Sequence, residues 1–346
     1  MSIYTDEELT ARLEAASLRY VSPDAKGYTR KKQGKGFIYL DTKGQRITDP
    51  AVLEWINSLV IPPAWKDVWI SPKKNGHLLA TGRDDKKRKQ YVYHPNWSAI
   101  ANEKKFETLI AFGEKLPELR KTVQKHLRES ELTRQKVLAL VVALLDSTLI
   151  RIGNEEYKRD NETFGLTTLQ DDHVEVSGAR ITFEFVGKSG KTHTITLKNR
   201  KLAKLVHATQ EIPGYTLFQY VDENGTPHPI DSSHVNAYLH EITGKPFTAK
   251  VFRTWGGSVN MVRELCLIED TGTKKAKQKC VRESIKAVAN RLGNTTSVSR
   301  AYYIHPTVIK AFMSDQLRML YDEKRAQVKQ NEAGLSLEEQ VLMTVM

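Results

Sequence analysis

The sequence predicts an α+β chain in two parts. A small N-terminal domain, residues 1–95, is built on an antiparallel β-sheet with helices; a larger, mainly α-helical domain, residues 96–346, carries a small β-hairpin or three-stranded sheet. Three observations predict this. Short strand-like runs set between Gly, Pro and Lys turns fill the first part. Beyond it the apolar residues recur at i, i+3 and i+4, the helical period. That period is interrupted by a group of alternating runs between residues 173 and 197.

In the first part, KGFIYLD (35–41), DVWISP (67–72), HLLATG (77–82) and QYVYH (90–94) read as strands. DPAVLEWINSLVIPPAW (49–65) sets an amphipathic helix before a double proline. The prolines end it, because proline has no N–H to donate and its ring clashes with the preceding turn. HPNWS (94–98) reads as the linker. Beyond it, ANEKKFETLIAFGEKL, LPELRKTVQKHLRES and LTRQKVLALVVALLDSTLI have helical spacing. HVEV (173–176), RITFEFV (180–186) and THTITL (192–197) alternate as strands do, with GKSGK (187–191) turning between the last two. Helices return with LKNRKLAKLVHATQ and with DSSHVNAYLHEITG (231–244), which has an Asp/Ser start and a Gly stop. SVNMVRELCLIED and AKQKCVRESIKAVANRLG (276–293) continue the pattern. PTVIKAFMSDQLRMLYDEKRAQ reads as one more helix, followed by an acidic helical tail.

Composition narrows the function. The most apolar stretch, VLALVVALLDSTLI (137–150), is broken by Asp146 and followed by Arg151, so it reads as a buried helix. With a mean hydropathy of −0.48, no membrane span is expected. The start is acidic and amphipathic, unlike a secretory signal, and Cys266 and Cys280 lack a metal-ligand spacing. A reduced, cytoplasmic compartment is the expectation. Lys and Arg outnumber Asp and Glu by 53 to 41, a net charge of +12. The excess recurs in clusters: RKKQGK (30–35), RDDKKRK (83–89), KNRKLAK (198–204) and TKKAKQK (273–279). Any one can be a solvated face; together they predict an extended polyanion partner, nucleic acid foremost. No GxxxxGK[ST] loop is present, so ATP hydrolysis is not expected. No HExxH, CxxC or His/Asp cluster has metal spacing, so metal-free chemistry without a cofactor is expected.

Individual residues then raise questions that local sequence leaves open. Arg151 leaves a strongly apolar helix in IRIGNEEYKRDNETFGLTTL, where it needs an anion or an ion pair with Glu155 or Glu156. Gly153 beside it would let a backbone approach closely. Lys188 lies at the mouth of the FEFVGKSGKTHTITL hairpin, either as a solvated turn residue or reaching into a groove. Arg253 sits between Phe252 and Trp255 in KVFRTW. Asn294 follows a helix-stop glycine and can close that helix in a left-handed conformation. Tyr302 and Tyr303, in RLGNTTSVSRAYYIHP, are aromatic filling or hold a nucleophile; a phenol attacks only where neighbours favour the phenolate.

IRIGNEEYKRDNETFGLTTL, FVGKSGKTH, KVFRTW and LGNTTSVSRAYYIHP, in this order, resemble the type IB DNA topoisomerases, in their small poxvirus-like and bacterial branch. ATGRDDKKRKQYVYH (80–94) resembles their N-terminal clamp domain, so the likeness spans residues 20–310. The family carries two Arg, one Lys, one His or Asn and a tyrosine nucleophile. The resemblance implies that the first Arg, before a G-N pair, is Arg151, and that the lysine after F-x-G is Lys188. It implies that Arg253 is the second Arg, in R-T-aromatic. The fifth residue, after L-G and nine positions before the nucleophile, is Asn294, which makes Tyr303 the nucleophile and Tyr302 its neighbour. Poxvirus-like members have His at the Asn294 position; an amide can donate to a phosphate oxygen but brings no cation.

The resemblance implies ATP- and metal-independent nicking of one strand through a 3′-phosphotyrosyl intermediate, strand rotation and religation. Arg151, Arg253 and Asn294 would hold the phosphate, Lys188 would protonate the leaving oxygen, and Lys250 could relay a proton. Gln90, Tyr91 and Tyr93 match the QYxY strand that enters the major groove, while Arg83, Lys86, Lys87, Arg88 and Lys89 would neutralise phosphates. The expected partner is double-stranded DNA, gripped by a monomeric two-domain clamp. A tyrosine recombinase is the alternative, but that class has His three residues before the second Arg, where Lys250 stands here. A non-enzymatic basic DNA-binding protein ranks last, since it leaves four ordered motifs unexplained.

Overall fold

The computed structural model describes residues 6–85, 87–268, 272–327 and 334–346. The chain divides into two compact units, Met1–Lys105 and Phe106–Met346.

The first unit opens with α1 (Asp6–Ala15) and then builds a five-stranded antiparallel sheet. Its strands are β1 (Tyr28–Gln33), β2 (Gly36–Leu40), β3 (Lys66–Ile70), β4 (Leu78–Arg83) and β5 (Lys89–Tyr93), in the order β2-β1-β3-β4-β5. β1, YTRKKQ, was legible in the sequence only as a basic cluster, because four of its six side chains are exposed and no apolar alternation survives. α2 (Pro50–Ser58) starts on Asp49, whose Oδ1 accepts the Ala51 N–H at 2.8 Å, and ends before the double proline as expected. Ile47, Ile56, Val68, Ile70 and Ala80 form the core between helix and sheet, with Val92 of β5 packed against it. Strand alternation therefore turns Tyr91 and Tyr93 outward together.

The expected linker HPNWS is helical from Pro95 on. α3 (Pro95–His126) starts at Pro95 and runs 32 residues through Pro117, fusing two predicted helices. Leu109, Phe112, Leu116, Leu119 and Val123, spaced three and four apart and at most 3% exposed, carry the helix through the proline.

The second unit continues with α4 (Arg134–Thr148) and α5 (Glu155–Asn161), then the antiparallel sheet β6 (Val174–Ser177), β7 (Arg180–Gly187) and β8 (Lys191–Lys198). After α6 (Arg200–Gln210) comes a two-stranded ribbon, β9 (Gln219–Val221) and β10 (Pro227–Pro229), too short to have been read from the sequence. α7 (Ser232–Thr243), α8 (Lys250–Cys266), α9 (Lys274–Leu292) and α10 (Thr296–Tyr302) follow. α8 starts eight residues earlier than SVNM, so KVFRTW lies on a helix. The single helix expected over PTVIKAFMSDQLRMLYDEKRAQ is two, α11 (Pro306–Met313) and α12 (Gln316–Gln327), broken where Asp315 takes φ 65°. Among the described residues, no helix is long and apolar enough to cross a membrane.

The acidic tail is a core element. In α13 (Leu337–Val345), Val341 and Leu342 are fully buried. Glu339, 5% exposed, accepts from Arg120 Nη1 and Nη2, both at 2.8 Å, and from the Trp255 indole N–H at 2.9 Å; Arg120 also pairs with Asp146 at 2.8 Å. Burial pushes the Glu339 carboxyl up, but Arg120, Trp255 and the Ser336 N–H more than offset it, and the net direction is down. This stabilisation is therefore complete above the ordinary value of 4.5 and is lost as pH falls below it. Glu339→Gln lowers unfolding free energy by about 3 kcal/mol, the low end for breaking a buried pair because Asp146 still faces Arg120. Urea unfolding at neutral pH checks this, and the deficit shrinks on acidification.

Candidate active site

Three helix ends converge on one side chain. α4 closes at Leu149, a left-handed residue (φ 58°), and its carbonyl accepts from Arg253 Nη1. α9 closes at Gly293 (φ 62°), and the carbonyl of Leu292 accepts from Arg253 Nη2 at 2.7 Å. Tyr303, which caps the end of α10, lays its ring 5.3 Å from the Arg253 guanidinium carbon. Arg253, in the first turn of α8 and 5% exposed, is thus the hub.

Arg151 reaches the same place from the loop after α4, donating from Nη2 to Asn294 Oδ1. It pairs with neither Glu155 nor Glu156, which are exposed; Glu155 faces Lys158 instead, at 3.9 Å. The backbone that closes on Gly153 is the chain's own: a β-carbon there would lie 3.1 Å from Gly165, and the Leu166 N–H bonds the Arg151 carbonyl at 2.7 Å. Asn294 is not left-handed, since Gly293 takes that role; its N–H caps α9 through the Ala289 carbonyl at 2.9 Å, freeing the amide for Arg151.

No carboxylate pairs with Arg151 or Arg253 among the described residues. Burial, then the neighbouring Arg151 charge, pulls the Arg253 guanidinium down to about 10, with Tyr303 opposing; burial likewise lowers Arg151. Among the described residues, Arg253 Nε and Asn294 Nδ2 are buried donors without a partner. Two partly desolvated cations and two orphaned donors together make a receptor for an anion.

Tyr303 is held from behind. A β-carbon on Gly257 would overlap the Tyr303 carbonyl oxygen, and Ser258 Oγ bonds that carbonyl at 3.3 Å and the His305 N–H at 2.9 Å. Tyr302 is 47% exposed. Lys188 sits exposed in the β7–β8 turn, where Ser189 is left-handed at φ 68°, and lines a narrow cleft with Arg151, His193, Arg253 and Arg291. Lys250 opens α8, exposed, and is not among the residues lining that cleft.

The first unit holds the remaining candidates. Tyr91 and Tyr93 stack at 5.8 Å, 46% and 43% exposed, and the Lys89 ammonium lies 5.9 Å from the Tyr91 ring centre. Gln90 lies on the other face with Val92, its amide donating to Asp84 at 2.9 Å. Arg88 also binds Asp84, at 2.7 Å, and Arg83 donates to the Lys87 carbonyl at 2.8 Å, so this turn is ordered by its own charges. Lys86 lies outside the described residues.

Comparison with known proteins places the chain. The family model for the eukaryotic DNA topoisomerase I catalytic core matches residues 89–331, and that for the bacterial DNA topoisomerase IB N-terminal domain matches 36–84. The DNA topoisomerase 1B of Acanthamoeba polyphaga mimivirus is 30% identical over 84% of this chain and 88% of its own. The chain belongs to the type IB DNA topoisomerases. The DNA topoisomerase 1B of vaccinia virus (strain Copenhagen) is 24% identical over 71% of the chain and 77% of its own. Among solved structures, a XerH site-specific recombinase bound to palindromic difH substrate aligns over 58% of this chain and 51% of that chain at 14% identity, with a TM-score of 0.38. A likeness that loose carries no argument.

Sequence reasoning missed His193, Gly257, Ser258 and Arg291. Each carries a small or unremarkable local signal. Only contacts between residues far apart in the chain, as between Gly293 and His193 or Leu149 and Arg253, single out this part of the enzyme.

Proposed function

We propose that the enzyme relaxes DNA supercoils by a transesterification that needs neither ATP nor a metal ion, working as a monomer on duplex DNA. Tyr303 attacks a backbone phosphorus in line; its oxygen bonds the 3′ phosphate as the P–O bond to the 5′ oxygen breaks. The free 5′-hydroxyl strand swivels about its intact partner, then attacks back and releases the tyrosine. Bond energy stays in the phosphodiester, so the cycle needs no fuel.

The observation that carries this reading is the anion receptor beside the Tyr303 ring: two guanidiniums that meet no carboxylate, and Arg253 Nε and Asn294 Nδ2 that meet no partner, among the described residues. In the reaction these groups hold the nonbridging oxygens, where charge accumulates in the transition state. Losing one such donor costs about 10²–10³ in rate. Lys188, on the hairpin tip, protonates the 5′ oxygen as it leaves. Lys250 assists as a second proton carrier. In the first unit, Tyr91, Tyr93 and Gln90 meet base edges, with Gln90 exchanging Asp84 for a base. Arg83, Lys86, Lys87, Arg88 and Lys89 contact phosphates, so that duplex affinity falls steeply with salt.

Supercoiled plasmid is relaxed by the purified enzyme with EDTA present and ATP absent. A strict requirement for ATP or for a divalent ion rejects the proposal.

A further inference from the structure

His193 is the one imidazole in the cleft shared by Arg151, Lys188 and Arg253, and nothing in the chemistry above uses it. It faces Phe185 across β7–β8, and the two rings stack at 5.2 Å and 24°. Its edges meet the backbone at two points. A β-carbon on Gly187 would lie 2.6 Å from His193 Cδ2, and one on Gly293 would overlap His193 Cε1. Gly187 directly precedes Lys188, and Gly293 directly precedes Asn294. The ring therefore fills the gap between the strand that delivers the lysine and the helix end that delivers the amide.

The surroundings suit a neutral ring. Burial, then the charges of Arg151, Arg253 and Lys191, lower the imidazole below its ordinary value of 6.5. Lys188 and Arg291 line the same cleft and add to that positive environment. No hydrogen-bond partner for the ring is found among the described residues, so its hold is packing against Phe185 and two side-chain-free backbones.

The geometry points to His193 as a positioning residue: it docks the β7–β8 hairpin on the α9 cap, so that Lys188 is presented to the leaving oxygen while Asn294 holds the phosphate. This deepens the transesterification reading and rests on it. Packing of this kind matters because a general acid displaced by about an ångström loses much of its effect. The same seat can be removed from either side. His193→Ala deletes the ring. Gly187→Ala expels it without backbone strain, because Gly187 has φ −97°, open to alanine.

The experiment measures single-turnover cleavage for His193→Ala, Gly187→Ala and the double variant, on an ordinary duplex and on one with sulfur replacing the bridging 5′ oxygen. Each single variant slows cleavage of the ordinary ester by about 10–100-fold, a share of the 10²–10⁴ supplied by a positioned proton donor. The double variant is no slower than either, because one seat has been lost once. The sulfur substrate, which departs without a proton, restores all three to within about threefold of the parent, as expected when proton delivery alone was lost. Duplex affinity is unchanged.

Equal slowing on both substrates, additive losses in the double variant, or no loss in His193→Ala overturns the proposal. Failure of the underlying reading is distinguishable. The parent enzyme would then form no phosphotyrosyl adduct on either substrate, whatever the variants do.

Discussion

Tyr303→Phe forms no covalent adduct with DNA while binding duplex as tightly as the parent. The substitution removes one oxygen, with its hydrogen bond to Arg253, and keeps the packing and backbone contacts that seat the residue. The ring stays beside Arg253, the carbonyl stays on Ser258, and the backbone stays against Gly257. Removing a nucleophile outright costs on the order of 10⁶ in kcat in a well-measured hydrolase, which here means no detectable turnover. Tyr302, the last residue of α10, is 47% exposed, whereas the ring that lies against Arg253 is that of Tyr303, the residue that caps the helix. A labelled duplex that traps the cleaved state, resolved on a denaturing gel, reads the adduct directly. An adduct that persists in Tyr303→Phe and vanishes in Tyr302→Phe transfers the role to Tyr302.

Lys188→Ala slows cleavage by about 10²–10⁴, the range for a positioned general acid, and a 5′-sulfur leaving group restores most of it. A 5′ alkoxide is a poor leaving group, so the transition state needs a proton at that oxygen. Lys188 is exposed on a hairpin tip yet lines the same cleft as both arginines, a position from which it can reach a bound phosphodiester. Sulfur departs as a thiolate and makes the donor unnecessary. A variant that stays slow with sulfur would place Lys188 among the groups that bind the phosphate instead. The arginine variants give the contrasting pattern. Arg253→Ala loses charge stabilisation at the nonbridging oxygens, which a better leaving group does not replace.

Much of the fold was legible because its signals are local. The Asp49 and Asp231 starts, the Gly244 and Gly293 stops and the alternation of RITFEFV and THTITL each act within a few residues, and each stands where it was read. Misreadings arose where a distant partner overrode the local signal. The proline at 117 does not end α3, because a buried apolar stripe on both sides outweighs one missing N–H. The tail is helical and acidic as read, but its place in the core was not legible, because it depends on Arg120 and Trp255, the partners that let Glu339 go inside. At the site, the ordered motifs named the residue types; whether Arg151 met Glu155 or something else could not be read from neighbours in the chain.

The sequence by itself determined the chemistry available: two arginines, a hairpin lysine, an amide and a tyrosine, embedded in motifs specific enough to name the family. Only the tertiary structure decided their arrangement: Arg151 on Asn294 across 143 residues, Arg253 on Leu149 across 104, and a histidine wedged between two glycines. The physical reason is that side-chain identity is carried residue by residue, whereas burial and hydrogen bonding belong to pairs. A guanidinium between Phe and Trp is only a costly charge until the fold supplies two carbonyls, a second cation and a phenol around it. In the proposed reaction, the cost of its burial then becomes affinity for a phosphate.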